Sequence, residues 1–528
     1  MYPPSLFVAP LPLAPLAPLV PLASRTPSLQ QRPRFPLHPR ASLPAAFDAA
    51  NTVSPLSPRV TQVPHVPSPA AARATHATAP EPPPRLHDVA VIGAGPAGLS
   101  LAAALARHAV SVVVLDPALH APWPNHYGVW RDEFAQVGLE DCATAVYPTT
   151  AVYAGPEKIT LDRAYLRVDR VMLKERLMSR CVDGGVRLCC AAVSAVEHVS
   201  EAESEVYFTA VGGEGEGEET GVVRARTVVD CTGHALRFTK AEGAGGKFRA
   251  PWAQAAYGIE AEVESYPYKG DEMLLMDFRD AHMQEEEGWR RASNERPTFL
   301  YVFPSGETRA FFEETSVIAP TAVPFEELKE RLYRRLRHDG VRVKRVIEEE
   351  RSLIPMGGSL PSRAQRVVGF GGAACLVHPA TGYMVARTVA MADVVARTIA
   401  HGLSDSGGLS GKTRAMAVSE AVWTVTWSLE LRRQRDFLAF GAELLGVLDM
   451  DESRRFFEAF FALPDELWGR FLGFGLDSPG VRTYFALYFF GIASWPIRWG
   501  LLRGIVEIGR WGLIRSVLPL WMSARDES

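Results

Sequence analysis

Two adjacent glutamates, Glu313 and Glu314, stand inside an apolar, strand-like run with the sequence RAFFEETSVIAP. Because side chains alternate along a strand, one glutamate shares a face with Phe311 and the other with Phe312. At least one carboxyl is therefore expected among apolar groups, where burial and a neighbouring carboxylate both raise its pKa. A carboxyl that stays neutral near pH 7 can act as a general acid. The alternative is an edge strand that exposes both glutamates.

A glycine motif between Asp88 and Asp116, DVAVIGAGPAGLSLAAALARHAVSVVVLD, indicates a dinucleotide-binding βαβ unit. The first glycine allows a tight turn, the second lets the backbone approach a pyrophosphate, and the third lets the helix pack on the strand. Proline suits a first helical turn, the free N–H groups there attract phosphate, and the terminal acid can accept a ribose hydroxyl. The order of these parts favours a dinucleotide site over an ordinary βα turn. The predicted binding residues of this unit are Gly93, Gly95, Pro96, Gly98 and Asp116.

Three later segments are predicted to complete the cofactor site. Arg170 begins a helical stretch and can meet a phosphate, the alternative being an exposed, solvated arginine. The apolar strand ARTVVDCTG ends in Asp230 and Gly233, which can return beside the first strand and meet the cofactor. A glycine-rich segment after residue 366 then offers a second helix N-terminus to the cofactor. Its predicted binding residues are Gly371, Gly372, His378, Pro379 and Gly382.

Composition narrows the class of protein. A chain of 528 residues is long enough for two or three domains, and a formal net charge of −4 gives no reason to expect a nucleic-acid partner. The six cysteines are scattered without a CxxC pair, which argues against a disulfide framework or a zinc site. No metal site is predicted.

The first 84 residues differ from the rest in composition. They hold 21 of the 40 prolines and six arginines, but no lysine and only two acids. Such a segment cannot bury enough apolar surface to fold, and its composition is typical of an organelle transit peptide. A disordered proline-rich linker is the alternative.

Periodicity then predicts an α/β chain with two folded parts and a helical tail. We expect the cofactor-binding domain at 85–250 and 351–403, and an antiparallel sheet domain carrying the catalytic acid at 251–350. Residues 404–528 are predicted helical. Their aromatic stripes are typical of a core, but their density and the tryptophans among arginines also suit a membrane interface. No stretch of about twenty apolar residues predicts a transmembrane helix.

The motifs together resemble one family, the plant-type lycopene cyclases, over roughly Asp88 to Arg503. Besides the glycine motif, the resemblance rests on PWPNHYGVWRDE, YLRVDR, AYGIEAEV, MDFRDAHM, FFEET, IPMGGSLP, VHPATGYMVART and RRQRDFLAFG. It implies an FAD-binding, Rossmann-like two-domain flavoprotein fold, a linear C40 carotene as substrate, and a chloroplast or other plastid location with peripheral membrane contact.

The resemblance also implies a reaction. Lycopene is cyclised through γ-carotene to β-carotene without net redox change, while the flavin must be reduced by NADPH or another plastid reductant. An acid protonates the terminal double bond of the ψ end, the ring closes on the cation, and a ring proton is lost. Glu313 is the first candidate for that acid and Glu314 the second.

Other functions are weighed against this one. IPMGGSLP and GYMVART resemble β-cyclases more than ε-cyclases, so an ε-cyclase is the nearest alternative. A flavin-dependent monooxygenase or carotenoid-modifying oxidoreductase is a second, although the Gly371–Gly372 turn lacks the aspartate common in flavin oxidoreductases. A non-catalytic carotenoid-binding flavoprotein is a third.

Overall fold

The computed structural model describes residues 85–211, 219–242, 250–404, 411–507 and 511–517. The predicted transit peptide at 1–84 lies outside these described residues.

The first sheet is built on the predicted βαβ unit. Its centre is parallel, in the order β16–β10–β1–β2–β8, while β9 pairs antiparallel with the outer halves of β8 and β10. The strands are β1 (Leu86–Ile92), β2 (Val112–Asp116), β8 (Arg187–Glu197), β9 (Ser204–Ala210), β10 (Thr220–Asp230) and β16 (Val367–Gly369). The run Val89–Ile92 is fully buried, as expected of a strand covered on both faces.

The second sheet has seven strands in the order β15–β11–β14–β13–β12–β5–β6. All neighbours pair antiparallel except β12 with β5. The strands are β5 (Thr149–Tyr153), β6 (Ile159–Leu161), β11 (Trp252–Val263), β12 (Glu272–Asp277), β13 (Thr298–Pro304), β14 (Arg309–Ser316) and β15 (Val343–Met356). β5 and β6 come from the stretch predicted to belong to the first domain, so the chain enters this sheet earlier than residue 251. The division into domains stays a prediction.

A small third sheet and the helices complete the described fold. The sheet has the order β3–β7–β4, with β3 (Gly128–Trp130), β4 (Ala143–Tyr147) and β7 (Tyr165–Val168). The helices of the first 404 residues are α1 (Pro96–Arg107), α2 (Arg131–Ala135), α3 (Arg170–Asp183), α4 (Glu287–Glu295), α5 (Phe325–His338) and α6 (Val385–Ser404). The C-terminal helices are α7 (Gly411–Thr426), α8 (Leu429–Leu445), α9 (Met450–Phe461), α10 (Asp465–Leu472), α11 (Pro479–Ile492), α12 (Trp495–Glu507) and α13 (Trp511–Val517).

The second sheet is buried on both faces by different partners. Phe311 on β14 belongs to an aromatic core shared with the C-terminal helices, including Phe457 and Trp468. The next residue, Phe312, belongs to a separate core with Leu328 and Leu332 of α5. Neighbouring residues of β14 therefore contribute to two different hydrophobic cores. The aromatic side chains of the C-terminal helices lie largely in the first of these cores.

The end of the helical region differs from its beginning. On α12, Trp495, Trp499 and Val506 are exposed by 75%, 67% and 79%. Their spacing places them on one side of the helix. Among the described residues, no helix combines the length and the apolar character that spanning a membrane would need.

Candidate active site

The two glutamates of β14 lie on opposite faces of the second sheet. Glu313 stands opposite Gly258 of β11 on one side and Tyr301 of β13 on the other. Glu314 stands opposite Tyr257 of β11, and its side chain lies on the other face of the sheet. The alternation predicted from the sequence is therefore present, and it gives the two carboxyls different surroundings.

Glu314 is held in a buried ion pair. Its side chain is fully buried, and Arg335 of α5 donates to both carboxylate oxygens at 2.9 and 3.0 Å. Thr298 donates a third hydrogen bond at 2.5 Å and itself receives one from Arg331. The pKa of Arg335 is raised: burial acts to lower it, but the Glu314 charge outweighs burial. The negative charge of Glu314 is therefore balanced by the Arg335 guanidinium.

Glu313 has no such cation among its contacts in the described structure. The Thr315 hydroxyl donates to its Oε1 at 2.7 Å. Burial and, to a smaller extent, the negative charge of Glu350 raise the pKa of Glu313 to about 8, although the Thr315 hydrogen bond acts to lower it. With this pKa the carboxyl is largely protonated at neutral pH. The residue also keeps some exposure, so Glu313 is not fully enclosed.

Glu350 of β15 completes the same row of the sheet, because it stands opposite Gly258 on the side away from Glu313. It is 6% exposed. The backbone N–H and Nδ1 of His126 donate to Oε2 at 2.9 and 2.7 Å. Asn125 and Ser352 donate to Oε1 at 3.1 and 2.7 Å. Burial alone would raise the pKa of Glu350, but these bonds and the His126 charge outweigh it and hold the pKa low.

Gly258 makes room for an aromatic ring between the two carboxyls. A Cβ on Gly258 would lie 2.5 Å from Cζ of Phe311, so the phenyl ring covers the place of the missing side chain. The imidazole of His126 packs on that ring with centroids 4.4 Å apart. The site is thus an aromatic surface with a neutral carboxyl on one side and an ionised carboxyl on the other.

Buried tyrosines adjoin Glu313. The hydroxyl of Tyr165 donates to that of Tyr383 at 3.0 Å, and the Tyr301 hydroxyl donates to Tyr165 at 3.4 Å. Burial raises the pKa of Tyr301 well above its usual range, so the phenol stays neutral. Phe303 packs edge-on against Tyr301 with centroids 4.9 Å apart. Together these rings give Glu313 a wall that is rich in π-electrons and poor in water.

The glycine motif has the geometry expected of a dinucleotide site. Gly93 has φ +108°, and a Cβ there would lie 2.6 Å from the Cys231 carbonyl oxygen. A Cβ on Gly98 would lie 1.8 Å from the Gly93 oxygen, so helix and strand can pack only around a glycine. A Cβ on Gly95 would meet nothing within 4 Å. The second glycine therefore faces open space, as close approach of a ligand requires.

The first turn of α1 is also suited to a phosphate. Gly95 is its N-cap, Pro96 follows, and neither a capping side chain nor an acid occupies the first turn. Asp116 accepts hydrogen bonds from the backbone N–H groups of Ala94 and Ala118, each at 2.7 Å. The acid thus fixes the glycine loop from the end of β2. Uncapped N–H groups behind an open glycine fit the pyrophosphate of FAD.

Two more glycine turns close on this loop. A Cβ on Gly371 would lie 2.5 Å from Cβ of Ala97, and one on Gly372 would lie 2.9 Å from the backbone of Gly233. The Asp230 carboxylate is fully buried and accepts five hydrogen bonds from the backbone and hydroxyl groups of its own loop. These hydrogen bonds fix the conformation of the loop that contains Gly233. Asp230 would therefore contribute to cofactor binding only indirectly, through that loop.

Two other predicted cofactor residues, Arg170 and His378, make contacts within the protein. Arg170 donates to the Pro124 carbonyl at 2.8 Å and pairs with Glu348 at 2.5 Å. His378 donates from Nε2 to the Phe471 carbonyl at 2.8 Å, and burial lowers its pKa to about 3.

The turn after His378, which contains Pro379, lies against the second sheet. Gly382 has φ +74°, and a Cβ there would lie 3.0 Å from the Gln254 side chain of β11. The N–H of Gly382 donates to the His378 carbonyl at 3.0 Å, which closes the turn. These residues connect the glycine turns with the second sheet, and direct contact with a cofactor stays a prediction for them.

One short loop joins the glycine motif to the acid site. Trp123 donates from Nε1 to the Ala94 carbonyl inside the motif at 3.1 Å. Asn125 and His126, two and three residues later, bind Glu350. The sequence left open whether PWPNHYGVWRDE is a packed aromatic loop or a functional one. The structure places it between the cofactor loops and the carboxyls.

Sequence reasoning missed Glu350, His126 and Asn125 as site residues. The run VKRVIEEERSLIPM was not recognised as strand β15, because its charges hide the alternation. The signal that could have found Glu350 is its spacing from Ser352, because residues two apart in a strand lie on the same face. Strand β15 is long enough to pair along all of β11.

An α/β fold with a glycine-cradled helix N-terminus, a second, mainly antiparallel sheet and a helical C-terminal region is a flavoprotein-type fold, as predicted. A family model described as "Lycopene cyclase protein" matches residues 88–498. The chain belongs to this family, which confirms the resemblance seen in its motifs.

Named relatives and a solved structure agree with this assignment. The chain is 42% identical to a lycopene beta cyclase of Nicotiana tabacum over 77% of this chain and 78% of that one. It is equally identical to a capsanthin/capsorubin synthase of Citrus sinensis over the same shares. A geranylgeranyl bacteriochlorophyll reductase-like structure from Thermoplasma acidophilum aligns with a TM-score of 0.56 at 15% identity, over 76% of this chain and 99% of that one, which shows the fold alone.

Proposed function

We propose that this protein is a lycopene β-cyclase that converts the ψ ends of lycopene, through γ-carotene, to the β rings of β-carotene. The single observation that carries the proposal is the protonated carboxyl of Glu313, set among aromatic side chains and on the same sheet face as an ionised carboxylate. Family membership and the name of the tobacco relative support the substrate class.

Glu313 is the proton donor in this mechanism. Its pKa of about 8 keeps the proton available at neutral pH, and transfer to the terminal double bond leaves a tertiary cation. Glu314 is assigned a structural role, since its negative charge is already compensated by Arg335 on the opposite face of the sheet. The nearby ring-forming double bond then attacks the cation, and loss of a ring proton restores neutrality.

The aromatic surroundings keep the cation from reacting with water. Phe311 and Tyr301 place aromatic rings beside Glu313, and cation–π contact is worth about 2 kcal/mol in a desolvated site. Exclusion of water favours ring closure over hydration, because the internal double bond is then the nearest electron donor.

FAD is proposed as the cofactor, held by the turns at Gly93–Gly98, Gly233 and Gly371–Gly372 and by Asp116. When bound in its reduced form, FAD would supply an electron-rich surface that stabilises positive charge on the substrate. NADPH or another plastid reductant is proposed as the electron source.

A plastid location with peripheral membrane contact is part of the proposal. The names of the lycopene cyclase relatives from tobacco and Arabidopsis thaliana include the word chloroplastic. The exposed face of α12 carries Trp495, Trp499 and Val506, and exposed tryptophans on one helix face are typical of an interfacial helix. Such contact would bring a water-insoluble carotene to the enzyme.

Expression of the chain in bacteria that accumulate lycopene, followed by chromatography of the pigments, tests the proposal. β-Carotene is the expected product. δ-Carotene would instead identify an ε-cyclase, and unchanged lycopene in cells that contain the folded flavoprotein would exclude a cyclase. Incorporation of ¹⁸O from O₂ would identify a monooxygenase.

A further inference from the structure

The carboxylate of Glu350 shares a sheet face with Glu313, and only Gly258 separates the two in the row. We propose that Glu350 is the catalytic base that removes the ring proton in the last step, and that His126 is its positioning residue. This inference rests on the proposed function and names a second group for the same site.

The row geometry suits two carboxyls that serve one substrate end. Neighbouring strands lie ~4.8 Å apart, so the Cα atoms of Glu313 and Glu350 are separated by ~10 Å. The Phe311 ring lies over Gly258 between them. An end group bound along this row would have the donor carboxyl at one edge and the acceptor carboxylate at the other.

The hydrogen-bond partners of Glu350 separate it from the other buried glutamates of this sheet. Glu260 is paired with Arg167 and Arg309, at 2.5 and 2.6 Å, so its charge is compensated by two guanidinium groups. The partners found for Glu350 are His126, Asn125 and Ser352. They hold it ionised and oriented without a guanidinium, since its ion-pair partner is the His126 imidazole at 2.7 Å, whose charge can be given up with a proton.

The proton count of the step balances. The O–H bond of Glu313 breaks as a C–H bond forms at the terminal double bond. A C–C bond then closes the ring, and the C–H bond next to the new cation breaks. Its electron pair becomes the ring double bond, and its proton goes to a Glu350 oxygen. A carbocation makes the adjacent C–H strongly acidic, so even a carboxylate whose pKa is held low is a sufficient base. Proton return from Glu350 to Glu313 resets the site, with no oxidant or reductant consumed.

The position of this base also bears on which ring forms. The cationic ring carbon has two ring neighbours, the carbon that bears the polyene chain and a methylene. Loss of the proton from the chain-bearing carbon gives a β ring, whereas loss from the methylene gives an ε ring. His126 fixes one Glu350 oxygen through two hydrogen bonds from a single residue, which restricts the carbon that the carboxylate can reach. His126 acts through Glu350, so its replacement should change the ratio of ring isomers as well as the rate.

The test uses the full chain with bound, reduced FAD and lycopene in phosphatidylcholine vesicles in D₂O. For Glu350→Gln, we expect ring formation to fall about 100-fold or more while recovered lycopene gains deuterium, since protonation continues and reverses without a base. His126→Gln should raise the share of ε or other ring isomers. Glu349→Gln is the matched control, because Glu349 is the exposed neighbour that pairs with Lys329 on the other face.

Each outcome bears on the inference. A Glu350→Gln enzyme that forms β rings at the rate of the Glu349→Gln control, or whose lycopene stays unlabelled, would overturn it. If Glu350→Gln does not retain FAD, Glu350→Asp replaces it, with at least a tenfold loss or a new ring isomer expected and an unchanged rate and product contradicting the role. Failure of the unmodified chain to form any ring would instead refute the proposed function.

Discussion

The two faces of strand β14 use the same residue type in opposite ways. On the face toward α5, Glu314 is buried against Arg335, and its charge is cancelled in place. On the face toward the C-terminal helices, Glu313 is surrounded by aromatic rings and a second carboxylate, and it keeps its proton. A buried carboxyl is therefore structural or reactive according to its partner, since a cation stabilises its charged form and an anion its neutral form.

Removal of the proton donor should have the largest effect. Glu313→Gln should lower the cyclisation rate by ~10²–10⁴-fold, equivalent to ~3–5 kcal/mol in the barrier, because the amide cannot protonate an alkene. Initial rates of β-carotene formation with the purified, flavin-loaded enzyme would measure this loss. The melting temperature should stay close to that of the unmodified chain, since a neutral group replaces a neutral group. A variant that cyclises lycopene normally would remove Glu313 from the mechanism.

The opposite face should respond in stability. Glu314→Gln leaves the Arg335 guanidinium buried without its counter-ion, and breaking a buried pair typically costs ~3–5 kcal/mol. Thermal unfolding monitored by flavin fluorescence would measure the loss as a lower melting temperature. The matched variant Glu314→Gln/Arg335→Met should recover part of it, because no charge is then left unpaired. Equal stability of Glu314→Gln and Glu313→Gln would contradict the separation of the two faces.

Much of this architecture could be predicted because local patterns determine it. The glycine motif at Gly93–Gly98 requires its turn by sterics alone, and the alternation of FFEET placed the two glutamates on opposite faces. Those patterns, with the family motifs, were enough for the fold class and the candidate acid.

The rest depends on contacts between distant parts of the chain. Arg335 lies on α5, a helix rich in charged residues, yet its side chain is buried because it pairs with Glu314 of β14. Glu350 and His126 are 224 positions apart, so their hydrogen bond cannot be inferred from either segment. Arg170 pairs with Glu348 in the structure, a partner that its own segment does not reveal, and its contact with a phosphate stays a prediction. Partner choice, not residue type, decided each of these roles.

A smaller effect is expected from the glycine between the carboxyls. In Gly258→Ala, the new methyl group would lie 2.5 Å from the Phe311 ring, and overpacking of this kind costs ~1–3 kcal/mol. Because Phe311 would have to move within the site, the cyclisation rate should fall along with the melting temperature. Gly288→Ala is the control, since a Cβ there meets nothing within 4 Å. A Gly258→Ala enzyme indistinguishable from that control would show that the aromatic surface is not closely packed.

The smallest expected change is a shift in the pH profile. The reactive form of Glu313 is protonated, so the rate should be full below its pKa of about 8 and should fall tenfold per pH unit above it. The other titratable groups facing Glu313 are Glu350, held ionised, and Tyr301, held neutral, so neither should add a limb there. The Thr315 hydroxyl stabilises the charged form by one hydrogen bond, worth ~0.5–1.5 kcal/mol. Thr315→Val should therefore move the limb to higher pH, by about one unit or less, as measured by initial rates across the alkaline range. A shift to lower pH would mean that the titrating group is not the carboxyl that this hydroxyl contacts.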